Sequence, residues 1–199
     1  MMPPESTLAR IHQAARSEFR EKGFQGASLR NIVKSVGMTT GAFYGYYKSK
    51  EALFEALVGA HYRYLVGRFC QAQKEFARLP RDRQDFSGAC MFDMLHYAYD
   101  HLEECQLLLC AAEGTQFAGL VDKMVQIETD ATHDYMEVLE ELGRPVPEID
   151  LRLEHILITG MFRTFFELII HAMPLPEAEN YLREMRTFYT AGWMKIMGQ

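Results

Sequence analysis

A chain of 199 residues that is 48% hydrophobic, 24% charged and 12% aromatic has the material for a sizeable buried core and falls outside the disordered and low-complexity classes. Its net charge of −6 is unevenly divided: residues 1–50 carry eight basic side chains (Arg10, Arg16, Arg20, Lys22, Arg30, Lys34, Lys48, Lys50) against three acidic ones (Glu5, Glu18, Glu21), so that +5 on the head leaves −11 on the remainder. A basic head on an acidic body is a reason to look for nucleic-acid contacts at the head.

From Ser6 to Lys22 the apolar residues Leu8, Ile11, Ala15 and Phe19 recur three or four apart, which predicts an amphipathic helix ending at Gly23. Ser28 precedes Leu29, Ile32, Val33 and Val36, and Gly37 closes the run; Ser at an N-cap and Gly beyond the C-terminus predict a second, short helix. Thr39 to Tyr47 mixes strand-prone aromatics with small residues. Its length and the Gly-containing turn before it favour a short third helix, with Phe43 and Tyr47 four apart and facing the core. The Gly37, Gly41, Gly45 spacing matches a membrane dimerisation pattern only formally, because its surroundings are polar. A long fourth helix opens at Lys48 to Glu51 and continues through Phe54, Leu57, Val58, His61, Tyr62, Leu65 and Phe69 to about Leu79, before Pro80.

Helical periodicity then covers 86–102, 104–112, 117–142, 149–172 and 176–197, interrupted at 114–115, 143–147 and 173–176 by Gly and Pro. Glu177 and Glu179 in the first turn of the last helix and Lys195 in its last suit the helix dipole. No strand pair or internal repeat occurs, so an all-α fold of about nine helices is expected, with a three-helix domain over 1–48 and a helical domain over 49–199. The longest near-continuous apolar run, Ile156 to Phe162, is seven residues, far below the roughly 20 of a membrane span. Met1 to Glu5 lack a basic or apolar leader. A cytoplasmic protein without a membrane partner is therefore expected. Cys70, Cys90, Cys105 and Cys110 contain no Cys-x-x-Cys pair, which disfavours both a disulfide framework and a structural zinc site.

Two short helices across a Gly turn, on a basic segment, read as a helix-turn-helix whose second helix enters the major groove. Thr39 and Thr40 suit phosphates or base edges, Ala42 a thymine methyl, and Gly41 a close backbone approach. Tyr44 and Tyr46 offer hydroxyls to phosphates, and Lys48 and Lys50 supply charge. Ser28 and Arg30, at the start of the second helix, complete the expected contacts with double-stranded DNA. The run Ser28-Leu29-Arg30-Asn31-Ile32-Val33, followed by Val36-Gly37-Met38-Thr39-Thr40-Gly41-Ala42-Phe43-Tyr44-Gly45-Tyr46-Tyr47-Lys48-Ser49-Lys50-Glu51-Ala52-Leu53, closely resembles the TetR family of bacterial one-component transcriptional regulators. The likeness spans about residues 6–55. Two departures stand out: Val33 replaces a common small Ala, and Gly45 replaces a larger polar or basic side chain, which removes one potential DNA contact.

The resemblance implies an operator-binding head, a small-molecule pocket enclosed by the fourth to eighth helices, and a homodimer formed by the last two. The residues speak to the body separately. The stretch 149–172 is apolar nearly all round, more than one core face requires, and Tyr181, Leu182, Met185, Phe188, Tyr189, Trp193 and Ile196 extend the pattern, as a twofold helical interface would. Twelve Met and thirteen Phe suit an adaptable apolar interior, for which the expected ligand-lining residues are Tyr62, Met91, His96, Tyr99, Phe117, Met124, Met136 and Phe162. Arg163 and Glu167, four apart, read as a simple ion pair. Asp93, His96 and Asp100 share a face, as do His101 and Cys105, and both sets read as solvated helix surface rather than a metal site. No Gly-x-Ser-x-Gly elbow, phosphate loop or His-Glu-x-x-His occurs, so neither catalytic residues nor a cofactor is expected. The reading is a ligand-responsive repressor, released from a pseudo-palindromic operator by a small, largely apolar effector. Its rival is an all-helical small-molecule-binding protein or enzyme whose basic head is only structural.

Overall fold

The computed structural model of the chain describes residues 6–78, 83–143 and 148–196. The expected helix ends at Leu79 and Met197, the breaker residues 144–147 and the leader reading of Met1 to Glu5 lie outside them. Among the described residues the structure is helical, without strands: α1 Thr7–Gly26, α2 Leu29–Ser35, α3 Thr40–Phe43, α4 Lys50–Arg78, α5 Arg83–Asp100, α6 Leu102–Cys110, α7 Leu120–Glu141, α8 Leu151–Ile170 and α9 Leu175–Ile196. Side chains close several N-termini. Ser6 Oγ accepts from Ala9 N–H at 3.1 Å, Ser49 Oγ from Ala52 N–H at 3.1 Å, and one Asp150 oxygen from the N–H groups of Arg152 and Leu153 at 2.9 and 3.0 Å. These are the donors that a helix start leaves without an internal partner.

Three boundaries differ from the periodicity. Gly23 does not end α1 but kinks it, with φ 64° and ψ 170°, a conformation essentially reserved for glycine, and the helix resumes to Gly26. The third helix is a single turn of four residues; Tyr44 to Tyr46 then form a tight turn in which Gly45 and Tyr46 N–H donate to the carbonyls of Ala42 and Phe43. Finally, α5 stops at Asp100 and α6 begins at Leu102, because His101 has non-helical φ −134° and ψ 44°. No Gly or Pro marks that break, which the apolar pattern places two residues later, between 102 and 104.

Two compact units account for the described residues. The first holds the residues up to Arg63 with His101–Gly119, which means α1, α2, α3, the opening half of α4, and α6. Its core is aromatic: Phe54 sits edge-on to Phe19 and Phe24, with ring centroids 5.0 and 5.3 Å apart. α6 packs on α1, where Arg16 meets Glu104 and Arg20 meets Glu103, each at 2.9 Å. At the C-cap of α6 the Ala111 carbonyl accepts from Phe24 N–H at 2.8 Å. The first compact unit thus joins the acidic first turn of α6 to the basic α1.

The second unit holds Tyr64–Asp100 and the described residues from Leu120 onward. Here α7 packs on α8, while α5 and α9 pack on each other and on α8. Phe162 of α8 is fully buried and lies edge-on to Phe69 of α4 at 5.1 Å. The same helix exposes Leu151, Leu153 and Ile156, and α9 exposes Tyr181, Phe188 (73%) and Met194. Among the described residues no helix is long and apolar enough to cross a membrane.

Replacing Gly23 by Ala forces a side chain into its positive-φ conformation although the space around it is open. The expected cost is about 1–3 kcal/mol of stability, read as a lower urea midpoint. An unchanged midpoint would mean that the kink is not required.

Candidate nucleic-acid interface

The interface is built from α2, α3 and the turn after α3. Thr39 is the N-cap of α3 and its Oγ1 accepts from Ala42 N–H at 3.2 Å. That bond uses an acceptor lone pair and leaves the hydroxyl proton for an outside acceptor. Thr40, Gly41, Ala42, Tyr44 (54%) and Tyr46 (47%) are exposed, whereas Phe43 is fully buried. A Cβ at Gly41 would meet nothing nearer than Thr39 Oγ1 at 3.9 Å, so the surface beside Ala42 is shallow. The following residue with a core role, Tyr47, places its hydroxyl 2.5 Å from His12 Nε2 on α1. Burial, helped by Arg16, holds the His12 pKa below its ordinary value, which favours the neutral ring in that bond. One buried ring and one anchored hydroxyl therefore hold a single helical turn against α1.

α2 is held in the same way. Glu18 of α1 accepts from Ser28 N–H at 3.0 Å and Asn31 Nδ2 at 3.2 Å, and also pairs with Lys22. The backbone hydrogen bond from Ser28 is the largest cause that draws the Glu18 pKa down. Ser28 is the α2 N-cap by position, but its side chain makes no capping bond; Glu18 instead takes the N–H of the cap residue itself from another helix. At the far end of α2, Arg10 Nη2 donates to the Val36 carbonyl at 2.7 Å. Neither Glu18 nor Arg10 was marked as functional by its sequence neighbourhood, because each acts 10 or more residues away.

The positive charge of the head is mostly engaged internally. Arg16 and Arg20 pair with α6, Lys22 with Glu18, and Arg10 with a backbone carbonyl. Lys50, expected to face DNA, places Nζ 2.7 Å from the Phe24 carbonyl and 3.0 Å from that of Ala27, with the Phe24 ring 4.4 Å away. Its three ammonium protons point at the end of α1. Arg10, Arg20 and Lys22 also keep exposed surface, but the exposed cations outside these pairs are Arg30 and Lys34 on α2 and Lys48 after α3. Lys34, not among the expected contacts, lies in the last turn of α2, where the helix dipole already favours a cation.

The residues expected to line a ligand site divide between the units. Tyr62 and the buried Phe117 lie in the first, their rings 5.5 Å apart. Met91, His96, Tyr99, Met124, Met136 and Phe162 lie in the second, with Met124 and Phe162 fully buried. The Tyr99 hydroxyl donates to the carbonyls of Leu168 and Met173, so it closes the C-terminal end of α8. His96 is exposed and its Nε2 lies 2.6 Å from Glu179 Oε1 of α9, while Asp93 binds Arg68. Glu167 pairs with His171 at 2.8 Å, one turn along from itself, rather than with Arg163. Burial pushes the thiols of Cys90 and Cys105 up to about 12, well out of the range of a reactive thiolate.

Comparison with known proteins identifies relatives of the chain. The profile of bacterial regulatory proteins of the tetR family matches residues 11–57. The chain is 38% identical over 183 residues to the HTH-type transcriptional regulator UidR of Escherichia coli K12, covering 90% of this chain and 86% of that one. Among solved structures, it superposes on Salmonella enterica GusR with a TM-score of 0.55 at 18% identity, over 100% of this chain and 99% of the other. A member of the TetR transcriptional regulator family from Streptomyces coelicolor A3, SCO3833, gives 0.60 at 15% identity, over 95% and 91%. At such low identity the two superpositions speak for the fold alone.

The two lysines separate by experiment. Lys48→Ala is expected to lower the slope of log affinity against log salt by about 1 for DNA binding. Lys50→Met is expected to leave that slope intact and to cost on the order of 2 kcal/mol of stability, the scale for hydrogen bonds to a charged group. A reduced salt slope in the Lys50 variant, at unchanged urea midpoint, would place its ammonium on DNA instead.

Proposed function

Because the chain belongs to the TetR family of bacterial transcriptional regulators, we propose that it is a homodimeric repressor that holds a pseudo-palindromic operator and releases it when a small, largely apolar effector binds its C-terminal unit. Its activity is DNA binding in transcriptional regulation; the proposal concerns the contacts, the partner and the switch. One observation carries it: Thr40, Gly41, Ala42 and Tyr44 are exposed together around the buried Phe43. A turn whose core residue is locked and whose small and hydroxyl-bearing residues face outward presents hydrogen-bond donors and little steric bulk to a groove. Arg30, Lys34 and Lys48 flank it as phosphate contacts, and Thr39 donates its remaining proton.

Twofold pairing would bring two such faces together about 34–36 Å apart, or a multiple of that, to meet successive major grooves. The exposed Leu151, Leu153 and Ile156 of α8 and Phe188 of α9 supply an apolar surface that an isologous interface would cover. The interior of the second unit, with Phe69, Met94, Met124 and Phe162 buried, has the polarisable side chains that adapt to apolar guests. Release follows if the guest binds more tightly to a conformation whose two heads are wrongly spaced. The reading includes no catalytic step, and it places the protein in the cytoplasm with its DNA.

The test is binding to the intergenic DNA upstream of its own gene against scrambled DNA, across a salt series. Selective, salt-sensitive binding is expected, and Thr40→Ala with Tyr44→Phe should weaken it by about 1–3 kcal/mol. Full affinity in the double variant would move the recognition surface elsewhere. Separately, Phe188→Asp should shift the protein from dimer to monomer in sedimentation; an unaltered dimer would exclude α9 from the interface.

A further inference from the structure

Among the described residues, three buried side-chain polar atoms have no hydrogen-bond partner: Arg68 Nη1, Glu154 Oε1 and Thr159 Oγ1. All three belong to the second unit. Arg68 is the unusual one, because a guanidinium carries five donors in a rigid fork and seldom leaves a buried one unused. Its outer edge is satisfied: Nε and Nη2 both donate to Asp93 Oδ2, at 2.9 and 2.6 Å, on α5. Asp93 is half exposed, so the pair sits at the rim with its carboxylate outward. The other arm, Nη1, is the buried one.

Buried apolar positions flank Arg68 along both helices. On α4 the neighbouring core positions are Leu65, Phe69 and Ala72, and on α5 they are Cys90 and Met94, all 2% exposed or less. The Cys90 thiol donates to the Arg68 carbonyl at 3.7 Å, which fixes α5 against this turn of α4. Holding the two helices together would need only the edge that binds Asp93. A buried N–H with no partner is a cost to folding, and such costs persist where a ligand recovers them.

Resting on the ligand-responsive reading above, we propose that Arg68 Nη1 is the polar anchor of the effector site, donating to a carbonyl or ether oxygen of an uncharged, largely apolar molecule. Charge excludes the obvious alternative. The guanidinium is already neutralised by Asp93, and the carboxylates of Glu75 and Glu128 act on the same Arg68 and Cys90 cluster. A ligand carboxylate would enter an acidic field with only one N–H to receive it, whereas a neutral oxygen requires no more than that N–H.

A matched set of diaryl probes tests this on the full-length protein by calorimetry. Benzophenone has the acceptor, diphenylmethane has a methylene in its place, and 4-benzoylbenzoate adds a carboxylate. Benzophenone should bind tighter than either by about tenfold or more. In Arg68→Met its affinity should fall to that of diphenylmethane, which itself should be unmoved. Irradiated benzophenone should label peptides containing Leu65 to Ala72 or Cys90 to Leu95. Equal binding of benzophenone and diphenylmethane, a preference that survives Arg68→Met, tightest binding of 4-benzoylbenzoate, or a parallel loss for all three probes in the variant would overturn the anchor while leaving ligand binding itself standing. Failure of all three to bind, with operator DNA still held in their presence, would overturn both the anchor and the ligand-responsive reading.

Discussion

The break at Gly23 is the constraint on which the first unit depends, because it sets Phe24. Had α1 continued regularly, the Phe24 N–H and carbonyl would have pointed along its own helix. With φ 64° and ψ 170° at Gly23, the N–H instead reaches the Ala111 carbonyl at the end of α6, and the carbonyl receives the Lys50 ammonium at the start of α4. The ring lies under that ammonium and against Phe19 and Phe54. One residue thus ties α1, α4 and α6 together through its backbone and its ring. Lys50 stands in the first turn of α4, where a cation is disfavoured by the dipole of its own helix. The carbonyls at the end of α1 offset this, since the negative end of one helix supplies what the positive end of the other lacks.

The DNA-facing turn inherits its rigidity from this frame. α3 is a single turn, too short to be stable alone, since helix nucleation is costly and a few residues do not repay it. It is held by Phe43 in the core and by the Tyr47 hydroxyl at His12, while Glu18 and Arg10 secure the two ends of α2 from α1. Three of these four supports belong to α1, a helix that offers nothing to DNA in the present reading. The supports of the turn therefore lie outside it, on α1 and in the core.

Periodicity made the helices legible, since an apolar residue every three or four positions is all that an amphipathic helix needs to declare itself. It also placed Phe43 in the core and left Thr40, Ala42 and Tyr44 outside. What stayed hidden depends on long-range partners. A run of basic residues reads alike whether it meets phosphate, a carboxylate on α6 or a carbonyl at a helix end, and in this head Arg10, Arg16, Arg20, Lys22 and Lys50 are taken by protein partners. Gly23 read as a stop because glycine ends helices more often than it kinks them. In the second unit the pattern found the buried Met124 and Phe162 but also took in His96 and Tyr99, whose polar tips turned out to bind Glu179 and the end of α8. A half-apolar side chain at an inward position looks the same in sequence whether its tip faces a guest or its own backbone.

α4 contributes residues to both units. α4 is one uninterrupted helix of 29 residues, shared between the units at Arg63 and Tyr64. Its first turn carries Lys50 and its later turns carry Arg68 and Phe69. A regular helix transmits a rotation along its axis with little loss, because changing its twist means breaking backbone hydrogen bonds. Arg16–Glu104 is part-buried; the exposed pair Arg20–Glu103 beside it contributes about 0–1 kcal/mol, so it orients α6 on α1 without resisting displacement. The buried aromatic cluster and the backbone bond from Phe24 resist it far more. Within the first unit, then, that cluster fastens α1 to α4 and that bond fastens α1 to α6.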